Sequence, residues 1–135
     1  MIIKRAGLIL AGVVAVAGIA SSASAAPAAK THHAGSCTAH GQYATCVAAG
    51  TANRPINIYV HVRSSQRGQP VYVAWTDVCS KGLGAGTRSG SYNAKTVSTR
   101  RMGHPYKHPD SCTVSAAAQL TGAGHFIKVW ITYTR

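Results

Sequence analysis

The chain has 135 residues, of which 14 are Lys or Arg and only two are acidic, so its formal net charge is +12 at pH 7. Asp77 and Asp110 are the only side-chain carboxylates. Carboxylate-built metal sites therefore have almost no donors, and a two-carboxylate glycosidase would have to use that one pair. Such a surface attracts anions: nucleic acid, anionic wall polymer, polysaccharide, lipid headgroups or acidic proteins.

Residues 1–25 read as a secretory signal peptide. Lys4 and Arg5 form a positive start, Ala6 to Ala20 is an uncharged apolar run, and Ala23-Ser24-Ala25 has the small-x-small pattern of a cleavage site. The apolar run is shorter than the roughly 20 residues a spanning helix needs. Cleavage near Ala25 would release an extracellular protein of charge +10 with no transmembrane segment. Residues 26–36 (APAAKTHHAGS) lack periodicity and are expected to form a flexible arm. One domain is expected over 37–135.

Export makes the four cysteines readable as two disulfides. Three pairings are possible, and Cys37–Cys46 with Cys79–Cys112 is favoured. The first would close a short hairpin-like loop, and the second would tie two later strands together. Zinc-type CxxC or CxxH spacing is absent.

Tyr43 to Ala48 is a weak strand. Pro55 to Arg63 is a strong one: Ile56, Ile58, Val60 and Val62 fall on one face, and Asn57, Tyr59, His61 and Arg63 on the other. Val71 to Trp75 is a further strand. Lys81 to Gly90 (KGLGAGTRSG) reads as a long Gly-rich loop that fits neither phosphate-loop fingerprint. Thr96 to Met102 is another weak strand. Gly103 to Pro109 (GHPYKHP) is a turn, because each histidine there precedes a proline. Thr113 to Leu120 places Val114, Ala116, Ala118 and Leu120 together. The last strand puts Ile127, Val129, Ile131 and Tyr133 on one face, and Phe126, Lys128, Trp130 and Thr132 on the other. No segment carries a capped helical stripe. The fold expected is all-β: a small antiparallel β-sandwich stapled by disulfides, with a small barrel as its rival.

Three chemistries follow. If the strands holding Tyr59, His61, Arg63, Lys128 and Trp130 are neighbours, they form a basic-aromatic platform, which Arg100 and Arg101 would extend. Rings suit sugars or bases and cations suit phosphates. Arg54, Arg67 and Lys107 would add charge. The expected partner is thus an anionic polymer or surface: cell wall, nucleic acid or polysaccharide. A second reading is an inhibitor of an extracellular protease or other hydrolase, acting through Lys81 and Arg88 on a loop braced by Cys79. A third is a secreted phosphodiester-cleaving enzyme, with His61, His104 and Lys128 as acid, base and phosphate holder. The first reading is preferred, with no catalytic residue, metal or cofactor. The seven histidines are scattered and serve chiefly to raise the charge below about pH 6.

The leader, together with GTANRPINIYVHV, WTDVCSKG (Trp75 to Gly82) and HPDSCTVSAAAQL, resembles small secreted actinomycete proteins with no assigned activity. That resemblance spans most of the mature chain and implies no catalytic residue. Subtilisin-inhibitor proteins and chromophore-carrying apoproteins are alike in size and in having two disulfides, but their motifs do not match these residues.

Overall fold

A computed structural model describes residues 30–80, 86–107 and 109–135. The expected leader and Lys81 lie outside the described residues. Eight strands follow one another: β1 (Thr31–His40), β2 (Thr45–Asn53), β3 (Asn57–Ser64), β4 (Val71–Ser80), β5 (Gly86–Ala94), β6 (Val97–Arg101), β7 (Ser111–Gln119) and β8 (Phe126–Thr134). They form two four-stranded antiparallel sheets, in the orders β1-β8-β3-β6 and β2-β7-β4-β5. We call these the first and second sheets. Neither closes on itself, so the architecture is a β-sandwich and not a barrel.

Period-two alternation explains the packing. Ile58, Val60 and Val62 of β3 and Ile127, Val129 and Ile131 of β8 are fully buried. They meet Val71 and Val73 of β4 and Val114, Ala116 and Ala118 of β7. Each buried Val or Ile contributes about 1.5–3 kcal/mol, which offsets the conformational entropy of so short a chain. Ile56 departs from the expected inward face. It lies before β3 begins and is half exposed.

Both disulfides have the expected partners. Cys79 and Cys112 sit directly opposite each other on β4 and β7. Cys37–Cys46 is not a hairpin staple within one sheet. It joins β1 of the first sheet to β2 of the second, and so pins the two layers together at one edge. At that edge a side-chain carbon on Gly50 would collide with the Ala34 carbonyl, so glycine is required for the sheets to approach. Two disulfides fit an oxidising, extracellular setting. No helix among the described residues is long and apolar enough to cross a membrane.

Two expectations need correction. The arm over 26–36 is not irregular to its end, because Thr31 to Ser36 already belong to β1 and pair with β8. The loop over 81–90 is not a loop to its end either. Gly86 to Gly90 form the first half of β5 and pair with β4.

Candidate functional site

The outer face of the first sheet collects the polar sides of β3 and β8, which are neighbours. His61 stands opposite Trp130, Arg63 opposite Lys128, and Tyr59 opposite Thr132. On the far side of β3, Tyr59 faces Arg101 and His61 faces Thr99. Beyond β8, Ser36 and Thr38 of β1 flank Trp130 and Lys128. No described acidic residue lies on this face.

Its centre is a ring pair. His61 and Trp130 stack with centroids 4.9 Å apart and planes 8° from parallel. That distance is the spacing between adjacent strands, so the two rings turn their faces to each other across the sheet. Lys128 Nζ lies over the indole, 5.2 Å from its centre. The His61 ring is fixed by two threonines: Nδ1 is 2.9 Å from Thr99 Oγ1 and Nε2 is 2.7 Å from Thr132 Oγ1. One nitrogen donates and the other accepts. Burial, and secondarily the nearby charge of His33, hold the His61 pKa below its ordinary 6.5. The ring is therefore neutral at neutral pH. The indole is covered on one side by His61, so this face offers a partner cations and ring edges rather than a bare indole surface.

The remaining cations separate. Arg101 shares the outer face, and its Nε donates to the Gly103 carbonyl at 3.2 Å. Arg100, one residue earlier, points the other way and stacks on Tyr92 of the second sheet, 4.9 Å from the ring centre. Arg54, Arg67 and Lys107 lie in connections between strands and do not join this face.

Arg88 is engaged within the fold. Asp77 is fully buried, and Arg88 reaches it through Nη2 at 3.3 Å and Nε at 3.4 Å. The Tyr106 hydroxyl donates to the same carboxylate, and the Arg88 guanidinium lies 4.0 Å over the Tyr106 ring. Arg88 Nη1 also donates to the His104 carbonyl at 3.0 Å. Burial first, and Asp77 second, push the Tyr106 phenol far above its usual range. This cluster ties the β6–β7 connection to the second sheet. The other half of the expected inhibitory pair, Lys81, lies outside the described residues.

Sequence reasoning missed the outer face of the second sheet. Thr51 on β2, Thr76 and Val78 on β4, Thr113 and Ser115 on β7 and Thr87 and Ser89 on β5 point outward, and no outward residue of these four strands is charged. The two charges in the sheet, Asp77 and Arg88, point inward to each other. Thr76 and Ser115 share a hydrogen bond of 2.9 Å, as do Ser80 and Ser111. The signal was present: the same alternation rule, applied to TCVAAGTAN and SCTVSAAAQ, leaves no charge on either side.

No family model matches this chain, and no curated protein matches it. Among solved structures, it is similar to TmCBM61 in complex with β-1,4-galactotriose, at 11% identity and a TM-score of 0.42, over 86% of this chain and 75% of that chain. At that score the likeness transfers neither a ligand nor a site residue.

Proposed function

We propose that this is a secreted, non-enzymatic binding domain for an anionic extracellular polymer, which it engages with the outer face of the first sheet. The supporting observation is the sorting of charge. Arg63, Lys128 and Arg101 share one flat face with no described acid among them, and no outward residue of the second sheet's strands is charged. Solubility requires net charge but is indifferent to which face carries it. The His61–Trp130 pair stiffens the middle of the face and positions Lys128 by a cation–π contact. Both nitrogens of His61 are already bonded to threonines, which favours a positioning part for that ring over acid–base chemistry.

The test is binding of the oxidised protein to cell wall, nucleic acid, an acidic polysaccharide and a neutral one, each titrated across salt. Binding to the anionic polymers with a steep salt dependence is expected. Equal binding to the neutral polysaccharide, insensitive to salt, would remove the electrostatic reading.

A further inference from the structure

A second basic-aromatic feature lies on the edge between the sheets. β6 has five residues, and its facing partner β5 has nine, so the first sheet ends early and leaves part of the second uncovered. The result is an open slot of about 490 Å³, bordered by Trp75, Gly90, Arg100, Arg101 and His104. That volume lies within the ~300–1,000 Å³ range of small-molecule sites.

The slot is built rather than accidental. Trp75 on β4 stands opposite Gly90 on β5. A side-chain carbon at Gly90 would lie 2.6 Å from Trp75 Cζ2, 2.7 Å from Cε2 and 2.9 Å from Nε1, so the indole lies flat over the bare glycine backbone. One indole face is thereby covered, and the partly buried ring borders the slot. Trp130 is different, because a histidine covers its face. The far wall is held in place by the Arg88 bond to the His104 carbonyl, the Tyr106 bond to Asp77 and the Met102 N–H bond to the Ile58 carbonyl at 2.7 Å.

Charge selects the ligand. The Arg100 guanidinium lies over Tyr92, 4.9 Å from the ring centre, and borders the slot with its N–H groups as its only polar atoms. Arg101 uses Nε on Gly103 and keeps its terminal nitrogens. The one carboxylate nearby, Asp77, is fully buried and taken up by Arg88 and Tyr106. A flat apolar ring surface beside two guanidiniums recognises a ring that carries a compact anion. We infer that this slot binds a sugar ring bearing a phosphomonoester, with the ring on Trp75 and the phosphate between Arg100 and Arg101. Two forks match the double charge of a phosphomonoester. The source is either a free sugar phosphate or a glycan chain ending in one. This inference shares Arg101 with the open-face reading and takes nothing from Arg63 and Lys128, so Arg100→Ala and Arg63→Ala tell the two sites apart.

The two tryptophans make the test direct. Their indole N–H resonances in the unsubstituted protein are assigned with Trp75→Phe and Trp130→Phe. The protein is then titrated at fixed ionic strength with a hexose 6-phosphate, the parent hexose, inorganic phosphate and an oligosaccharide ending in a phosphorylated hexose. A saturable shift of the Trp75 signal is expected with the phosphorylated sugar or its oligosaccharide, at a concentration at least about tenfold lower than with hexose or phosphate alone. Arg100→Ala should raise the half-saturation by about tenfold, and Arg63→Ala should leave it unchanged. If the Trp75 signal stays still with both phosphorylated ligands, or responds equally to inorganic phosphate, the inference is overturned. It is also overturned if Arg100→Ala has no effect while its spectrum remains that of the folded protein.

Discussion

The two outer faces of this sandwich obey the same pleat and have opposite chemistry. On the first sheet, outward positions hold Arg63, Arg101, Lys128 and the His61–Trp130 pair. On the second they hold Ser, Thr, Ala, Asn, Gln, Val and Tyr, knitted by hydroxyl pairs such as Thr76–Ser115 and Ser80–Ser111. Val47, Tyr72 and Val78 are each more than half exposed there, so that face is neutral without being strongly polar. Both faces are compatible with the same core, because only the inward half of each strand decides burial. The difference teaches that the charge carried by the strands is sorted by face: the outward cations lie on the first sheet, and no outward strand residue of the second is charged.

The comparison breaks most cleanly by changing charge equally on either face. Arg63→Ala with Lys128→Ala removes two charges from the first sheet. Thr51→Glu with Thr87→Glu changes the net charge by the same amount on the second. The first pair should weaken polyanion binding by about 10- to 30-fold at low salt and make the log–log salt slope shallower by nearly two. The second should weaken it by less than about threefold. Equal losses in the two variants would mean that net charge alone drives association.

Trp130→Ala sharpens the same contrast with a smaller effect. The indole carries no charge, but it stacks on His61 and underlies Lys128. An exposed cation–π contact is worth roughly 0.5–1 kcal/mol, so affinity should fall by about three- to fivefold with the salt slope unchanged. Tyr72→Ala removes an exposed ring from the neutral face and should leave binding unaltered. Isothermal titration of the two variants side by side checks both statements.

Most of the core is legible in the amino-acid sequence. Ile58, Val60 and Val62, and likewise Ile127, Val129 and Ile131, alternate without interruption, and alternation over six or more residues specifies a face. β1 is not legible, for two physical reasons. Its inward residues are Ala34, Cys37 and Ala39, too small to mark a buried side, and a bulge between His33 and Gly35 breaks the period. β5 hides behind its glycines: at Gly90 the inward space is filled by Trp75 from the neighbouring strand. The site is half legible. Alternation places Tyr59, His61 and Arg63 together, and likewise Lys128 and Trp130. The adjacency of β3 and β8 is a property of topology, and no local pattern encodes it. Arg100 and Arg101 look like one cluster on the platform, but their strand positions alternate: Arg101 shares the outer face, Arg100 reaches over Tyr92, and the two side chains meet only where both border the edge slot.

The smallest effect is the most specific to the ring pair. His61 has a folded pKa below its unfolded value of 6.5, chiefly because it is buried between Trp130 and two threonines. The folded chain therefore holds fewer protons at this site than the unfolded chain does. Stability linked to His61 is complete above about pH 6.5 and is lost as pH falls through the lower folded value. Thermal unfolding followed from pH 8 to pH 5 should show Tm falling below pH 6.5, and His61→Gln should flatten that fall. The same substitution loosens the two threonine bonds, so it should cost about 1–2 kcal/mol at pH 7.5. Polyanion binding runs the other way: a bound anion favours the imidazolium, so saturating polymer should shallow the fall in Tm of the parent protein and leave that of His61→Gln as it was. No histidine lies on the outer face of the second sheet, and the difference between the parent and His61→Gln isolates the ring pair's share of the pH slope from that of the other histidines.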